Sequence, residues 1–463
     1  MSSSFSSKLH YFSLLYIAFT IPFQWKYLPF SAGIIFLVLI WIIDGKLFQK
    51  LKIAIRNRFT ILFSGLYLLY LISLLYSENK EYAYTDLLLK LPLFLIPIIF
   101  SSSKKLNKLQ FILVLKIFAI STFIAAFTTF FIGYFNYINT GLIKYFFYHN
   151  LETFMHTSYT GMYTCFAICI FMYLIENSKN KKVKAIYFIL VFSLMWFLFL
   201  LSSRMQIIIY AFLLTSYIIW VFQKKRILLG SLILLIGYSC LALGIIKLPK
   251  TNDRFEQTKA YITNKNYTKT NTDARIKIWK AAFDVIKKNI LIGTGVGDVK
   301  DVLIAQYLFL SGENIKKEKI IENKIDEIKN NKDWFEHIKE KAKENNLALE
   351  DQLYLDATYV LDNTQNRYFF FVKQRYNYHC QYLQTFSAIG ILGIVCLILS
   401  FLIPLYKIGI KSKNYLLLTF FFIVAMSFIT ESMLERQAGV IFYAFFSSLL
   451  VYNSELNTND RLS

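Results

Sequence analysis

The chain has 463 residues, of which 56% are hydrophobic and 18% aromatic, and its formal net charge is +22. A soluble protein of this composition would expose large apolar patches, so an ordinary soluble enzyme is excluded. The charge could indicate a nucleic-acid partner, but the basic residues fall in short connections between apolar segments. We therefore expect membrane lipids around the protein and no nucleic acid.

Twelve apolar segments predict an all-α polytopic membrane protein with about 12 transmembrane helices. The first segment resembles a signal peptide, but it lacks a small-x-small cleavage site and is followed at once by another segment, so we interpret it as a spanning helix. The segments cover residues 10–24, 29–43, 59–76, 84–100, 109–136, 158–175, 184–201, 206–222, 227–246, 380–406, 415–431 and 437–452.

The connections between these segments alternate in charge. Those after the second, fourth, sixth, eighth and tenth segments carry three to five Lys or Arg each, whereas the intervening short ones carry one each. Cytoplasmic loops carry the excess of basic residues in membrane proteins. The alternation therefore predicts that both termini are cytoplasmic.

One connection, residues 247–379, is long enough to be a domain, and its position after the ninth segment places it outside the cytoplasm. The sequence thus predicts three parts: helices 1–9 in residues 1–246, an outer loop domain in 247–379, and helices 10–12 with a cytoplasmic tail in 380–463. Within the loop, "TDARIKIWKAAFDVIKKN" has helix signals at both ends. The charged stretch 313–351 is typical of one or two amphipathic surface helices.

Three residues at the predicted outer side could carry chemistry. His379 begins the tenth segment and could act as a base, although an interfacial histidine is the simpler interpretation of this residue alone. Arg204 lies in the tight turn before the eighth segment, where an arginine either snorkels or binds an anionic partner. Arg275 lies in the loop helix, where it either pairs with Asp273 or another loop carboxylate or binds an anion. It shares one stripe of that helix with Trp279, Ala282 and Ile286.

Weaker candidates surround these three. Gly295 and Gly297 belong to "GTGVGD", which lacks the lysine of a nucleotide-binding loop; a helix-ending turn is the better interpretation, although backbone contact with a phosphate stays open. Glu431 and Glu435 are one turn apart beside Arg436, at the outer end of the eleventh segment.

Metal binding is not expected. His149 and His156 are seven residues apart, and we find no carboxylate or cysteine cluster that would complete a site with them. Asp86 and Lys90 are one helical turn apart and are expected to pair. We predict neither a metal nor another cofactor.

Four stretches occur in a familiar order. They are "SSRMQ", "ARIKIWKAAFDVIKKNILIGTGVGD", "HCQYLQTFSAIGILGI" and "ITESMLERQAGVIFYAFFSSLL". Together, over about residues 200–450, the chain resembles the O-antigen ligase and O-antigen polymerase superfamily.

The resemblance implies a membrane glycosyltransferase of the bacterial inner membrane with its large loop in the periplasm. Such enzymes take a glycan from an undecaprenyl-diphosphate carrier and pass it to lipid A–core or to another glycan, without a metal or cofactor. By position, His379 matches the proposed base of the family, and Arg204 and Arg275 match arginines thought to hold the diphosphate. Cys380 departs from the family, which commonly has Asn there.

Other functions stay open at this point. A polymerase that joins repeat units shares the motifs and the donor of a ligase. A secondary transporter also fits twelve helices, although transporters bind near the membrane midplane and often show internal repeats. A structural scaffold would leave Arg204 and His379 unexplained.

Overall fold

The computed structural model describes residues 3–23, 30–225, 227–247, 256, 271–311, 316–345, 347–364 and 368–454. These residues form helices and connecting turns and contain no strand. The all-α prediction is therefore confirmed for the described part of the chain.

Each of the twelve predicted segments coincides with helix. The fourth is built from two short helices that meet at a proline, the tenth ends in a π-helical turn (Leu405–Ile410), and the others contain one helix each. The helices in these segments are α1 (Ser3–Thr20), α2 (Phe30–Ile43), α4 (Arg58–Ser73), α5 (Lys80–Lys90), α6 (Pro92–Ser102), α7 (Lys108–Thr140), α8 (Thr157–Asn177), α9 (Lys181–Leu200), α10 (Arg204–Gln223), α11 (Ile227–Lys247), α18 (Gln381–Pro404), α19 (Tyr415–Thr430) and α20 (Gln437–Tyr452).

Not every segment is long enough to cross a membrane by itself. Among the described residues, six helical stretches meet the length and hydropathy expected of a span, and a bent helix pair would make seven. The six are Lys80–Ser102, Lys108–Thr140, Thr157–Asn177, Lys181–Leu200, Arg204–Gln223 and Gln381–Ile410. The structure thus has membrane-spanning helices, and the count of twelve stays a prediction.

The bent pair differs from the prediction. The sequence between the second and third segments looks like a basic loop, but it contains a helix, α3 (Leu47–Arg56), that turns by 113° from α2. Lys50 is buried in this helix and donates to the carbonyl of Trp41 at 2.7 Å, while Phe48 is 81% exposed. An exposed apolar face beside basic residues is typical of a helix that lies along the membrane surface. Because basic residues are frequent in this stretch, the helical spacing of its apolar residues was not recognised from the sequence.

Contacts between connections follow the predicted alternation. Lys144, after the fifth segment, pairs with Glu344 of the long loop at 2.9 Å. At the other end, the backbone N–H of Leu106, after the fourth segment, donates to the side-chain oxygen of Asn453, after the twelfth, at 3.1 Å. Connections predicted on the same side of the membrane therefore meet each other.

The long loop is helical in its described part. Its helices are α12 (Asn271–Lys288), α13 (Val299–Ser311), α14 (Lys316–Asn330), α15 (Lys332–Asn345), α16 (Leu349–Thr364) and α17 (Tyr368–Lys373). Helices α14, α15 and α16 enclose a small core of their own, made of Ile321, Ile328, Ile338, Leu353 and Ala357. The amphipathic helices predicted for residues 313–351 are present.

Helix α18 is broken in a way that the sequence did not predict. Ile389 and Gly390 leave the helical region, with φ of 65° at Gly390. The loop after α12 inserts at this point: the N–H of Gly295 donates to the carbonyl of Ala388 at 3.0 Å, and the N–H of Ile391 donates to the loop in return. Backbone groups freed by the break are thus paired within the protein, as a membrane interior requires.

Glycine is needed at the break for two reasons. A positive φ is costly for residues with a side chain, and a Cβ on Gly390 would lie 2.2 Å from the carbonyl oxygen of Leu291. On the loop side, a Cβ on Gly293 would lie 2.5 Å from the backbone of Ala388. Glycine at positions 390 and 293 therefore lets the two backbones pack in close contact.

Candidate active site

His379 lies at the end of the long loop, two residues before α18 begins. Its backbone has φ of 45°, which is uncommon outside glycine. Two contacts hold the conformation: the side chain of Asn377 accepts the N–H of His379 at 3.0 Å, and the hydroxyl of buried Tyr378 lies 2.6 Å from that of Ser387 on α18. Strained backbone of this kind persists where the surroundings fix it, and it is often found at functional sites.

A buried carboxylate faces this histidine. The Nδ1 atom of His379 lies 3.4 Å from Oε1 of Glu431, which follows α19, at ion-pair distance without the alignment of a hydrogen bond. The side chain of Glu431 is only 10% exposed and that of His379 is 24% exposed. Because Nδ1 itself is buried, the exposed part of His379 lies elsewhere on the side chain, which includes Nε2.

The electrostatic environment keeps Glu431 ionised. Burial raises the pKa of Glu431, but the contact with His379 and its charge, with further contributions from His156 and Arg275, lower the pKa to about 2. Positive charge around a carboxylate favours its charged form. His379, His156 and Arg275 therefore share one site with Glu431.

Arg275 reaches this site from the loop helix α12. Helix α12 packs against α18, and Ala282 and Ile286 on the predicted stripe are buried, whereas Trp279 and Arg275 are half-buried. The predicted stripe is therefore confirmed as buried at Ala282 and Ile286. The side chain of Asp273, the predicted alternative partner, lies outside the described side chains.

Arg204 lies at the same end of the bundle. It is the first residue of α10 and is half-buried. Two residues later, the side chain of Gln206 donates to Ser427 of α19 at 3.0 Å, and Ser427 is one helical turn before Glu431. The structure thus brings Arg204 to the level of Glu431.

The segment between α19 and α20, residues 431–436, is fixed by its neighbours. The N–H of Leu434 donates to the side chain of Gln381 at 2.6 Å, so the segment is tied to the first residue of α18. Arg436 stands directly before α20 and is exposed. Its charge acts on His156, which places Arg436 at the edge of the same site.

A buried ion network supports this segment from below. Lys90 is fully buried and lies 2.6 Å from Asp86 and 2.9 Å from Glu435. The predicted pair of Asp86 and Lys90 is therefore confirmed. Sequence reasoning placed Glu435 beside Arg436 and missed its contact with Lys90, which lies 345 residues away.

Gly295 and Gly297 have a packing role in the structure. The N–H of Gly297 donates to the hydroxyl of Ser77 at 3.0 Å, and a Cβ there would lie 2.3 Å from the backbone of Asn79. The N–H of Gly295 is used at the break in α18. Both N–H groups that could have approached a phosphate therefore donate within the protein.

His149 and His156 come together with a carboxylate that the sequence analysis overlooked. Glu152 lies 2.7 Å from Nδ1 of His149 and 3.7 Å from Nε2 of His156, and the ligand atoms of the three residues lie within 4.8 Å of one another. The statement that no carboxylate accompanies the histidines was wrong, because Glu152 stands between them in the sequence.

Polar contacts among His149, Glu152 and His156 explain their proximity without a metal. The N–H of Ser158 donates to Nδ1 of His156 at 3.3 Å, so a neutral ring carries its proton on Nε2, the atom that faces Glu152. A metal at Nε2 would have to displace that proton and this arrangement. The trio therefore offers donors for a metal without a pre-formed set of lone pairs, and the absence of a metal stays a prediction.

The comparison with protein families agrees with the motifs. Residues 188–325 match the family model described as O-antigen ligase. The match includes Arg204 and Arg275 and ends before His379. It confirms the resemblance to the O-antigen ligase and polymerase superfamily. A search of curated proteins found no match to the chain.

Proposed function

We propose that this O-antigen ligase-like protein transfers a glycan from an undecaprenyl-diphosphate carrier to an acceptor sugar, such as that of lipid A–core, at the periplasmic face of the inner membrane. The observation that carries the proposal is the pairing of His379 with buried Glu431 at 3.4 Å. An imidazole oriented by a carboxylate is suited to accept a proton from a hydroxyl group.

The reaction would proceed by displacement at the first carbon of the donor glycan. The acceptor hydroxyl forms a new bond to this carbon, and the bond from the carbon to the diphosphate oxygen breaks, so the diphosphate leaves with the electron pair. The hydroxyl proton passes to Nε2 of His379. Glu431 then stabilises the imidazolium through Nδ1, because it remains ionised.

Two arginines would neutralise the leaving group. Arg204 enters from α10 and Arg275 from α12, and both lie at the end of the bundle that carries Glu431. Guanidinium groups bind phosphate oxygens bidentately and keep their charge. Arg436, at the edge of the site, is a further candidate for contact with either substrate.

The break in α18 invites comparison with a secondary transporter, because transporters bind substrates at discontinuous helices. In transporters, the freed backbone groups coordinate substrate or ions. Here Ala388 and Ile391 use theirs on the loop after α12. The charged residues gather instead beside the loop domain, and this favours the enzyme.

The first experiment removes the proposed base. His379→Ala, purified as the full chain in nanodiscs, should lose about 10²–10⁴-fold in transfer rate with a lipid-linked donor and an acceptor. His337→Ala is a matched control, because His337 is an exposed histidine of the loop helix α15. Near-normal transfer by His379→Ala would remove the general-base role.

The second experiment tests the charge at Arg275. Arg275→Gln should lose most activity, and Arg275→Lys should recover only part of it, because lysine keeps the charge and loses the planar fork. Arg375→Lys is the control, since Arg375 is 64% exposed and pairs with Asp301 at the surface. Full activity of Arg275→Gln would leave this arginine a structural role only.

A third experiment separates ligase from polymerase. Deletion of the gene should remove all long chains linked to lipid A if the protein is a ligase. A single repeat unit retained on the core would instead indicate a polymerase. Surface polysaccharide run on a gel distinguishes the two patterns.

A further inference from the structure

A cavity lies at the opposite end of the helix bundle from the candidate active site. Its volume is about 910 Å³, and it is lined by α8, α9, α10, α11 and the start of α19. The lining is mainly apolar and aromatic, with Phe188, Phe192 and Ile236 among its members. Each of these three side chains is 45% or more exposed, so the cavity is a groove that opens sideways to the bilayer.

The rim of this groove is polar and mainly basic. Lys224 follows α10, and Lys413 and Asn414 precede α19. The rim carboxylate, Glu176, accepts a hydrogen bond from the hydroxyl of Tyr217 at 3.0 Å. Two lysines against one carboxylate give the rim a net positive charge, which favours an anionic headgroup over a zwitterionic one.

Asn414 is the more specific indication of a bound ligand in this groove. Its side-chain oxygen accepts the N–H of Leu417 at 3.2 Å and thereby caps α19. Its Nδ2 atom is buried without a hydrogen-bond partner in the described structure, and the residue is only 5% exposed. A buried donor left unpaired costs about 1–3 kcal/mol, so an acceptor oxygen bound in the groove would be stabilised at this position.

Two neighbouring features would stabilise an anion bound beside Asn414. The N-terminal end of α19, a helix of 16 residues, carries the positive end of the helix dipole. Lys224 is held in place, since its Nζ lies 5.7 Å above the ring of Trp220, which in turn packs edge-on against Tyr415 at 6.1 Å. The basic rim and the unpaired donor thus flank one helix end.

The length of the groove limits what can fill it. On α10 the lining runs from Tyr210 to Lys224, which corresponds to about 21 Å of helix. Half of a bilayer core is about 15 Å thick, so the groove matches one leaflet plus its headgroup region. Basic pockets between transmembrane helices are known to bind anionic lipid headgroups.

We propose that this groove is a binding site for one anionic glycerophospholipid of the leaflet that contains the basic loops. The phosphate accepts a hydrogen bond from Asn414 Nδ2 and is neutralised by Lys413 and Lys224, while the acyl chains lie along Phe188 and Phe192. The site is separate from the proposed catalytic residues and does not depend on their function.

The test exploits the two roles of Asn414. Asn414→Asp retains the oxygen that caps α19, and aspartate is an equally good cap, but it replaces the donor by a second anionic oxygen. The full chain in detergent is titrated with dioleoyl phosphatidylglycerol, and bound lipid is counted by native mass spectrometry. We expect Asn414→Asp and Lys224→Gln/Lys413→Gln each to weaken binding at least tenfold, with an unchanged unfolding temperature.

Control measurements keep the proposal falsifiable. Lys411→Gln should bind like the unmodified chain, because Lys411 lies nearby over the ring of Tyr406 and does not line the groove. Dioleoyl phosphatidylcholine should bind at least tenfold more weakly than the glycerol lipid. Equal binding of the two lipids, equal binding by Asn414→Asp, or binding of a polyprenyl phosphate alone would each overturn the proposal.

Discussion

Replacement of Lys90 by methionine tests the buried network beneath the candidate site. Lys90 is fully buried and lies 2.6 Å from Asp86 and 2.9 Å from Glu435. Methionine has a similar length and fills the space without charge. The two carboxylates would then be left in the protein interior without their cation.

The size of the effect follows from burial. Removal of one partner from a buried ion pair costs about 3–5 kcal/mol, because the remaining charge is uncompensated. We expect Lys90→Met to lower the free energy of unfolding by this amount. Replacement of the whole network by neutral groups, in Lys90→Met/Asp86→Leu/Glu435→Gln, should recover most of the loss, since no charge is then stranded.

The change in the free energy of unfolding is measured by reversible unfolding in mixed micelles of dodecyl sulfate and a mild detergent, followed by tryptophan fluorescence. Lys324→Met is the matched control: Lys324 also pairs with a carboxylate at 2.6 Å, but its partner, Glu327, is 60% exposed. An exposed pair contributes at most about 1 kcal/mol. If Lys90→Met lost no more stability than Lys324→Met, the reasoning from an ionised buried network would be refuted.

Three further predictions concern the backbone, pH and topology. Gly390→Ala should destabilise the protein by more than about 1 kcal/mol, because φ is 65° and the new Cβ would meet the inserted loop at 2.2 Å. Gly65→Ala is the control, since its Cβ would lie 3.9 Å from the nearest atom, and equal unfolding curves of the two variants would contradict the account of the break. The pKa of Glu431 is lowered from its usual 4.5 to about 2, so its contribution to the free energy of unfolding, roughly 3 kcal/mol, should be fully present above about pH 4.5 and lost as the pH falls through 2. If the stability of Glu431→Gln showed the same pH dependence as that of the unmodified chain, this assignment would be excluded. Single cysteines at exposed Glu340 and Lys179 should react from opposite sides of intact inner membrane, and labelling from one side would exclude the proposed orientation.

Much of the helical framework could be predicted from the sequence. Apolar runs of membrane length and the alternation of basic connections depend on local composition, and each predicted segment coincides with helix. Helix α3 was missed because a helix on the membrane surface combines charged and apolar residues, as a loop does. The break in α18 was missed because it depends on a loop from elsewhere in the chain, and Gly390 alone does not reveal which backbone approaches it.

The candidate site was predicted residue by residue and not as an arrangement. His379, Glu431 and Arg275 were each selected from their own position along the chain, and the structure brings them together. Their proximity depends on helix packing, which a single sequence does not encode in any short window. Glu152 is different, because it stands between His149 and His156 and could have been found from spacing alone.

The break at Gly390 has a mechanical consequence for the candidate site. The part of α18 before the break is tied through Gln381 to residues 431–436, and through Ala388 to the inserted loop. Ile391, directly after the break, is tied to the same loop. When bilayer thickness changes, helices tilt, and a tilt of the rest of α18 would act on this loop contact before it reached the part that carries His379. We expect the spacing of His379 and Glu431 to be the same in thin and thick membranes, so the candidate site can keep its geometry while the composition of the host membrane shifts with growth temperature.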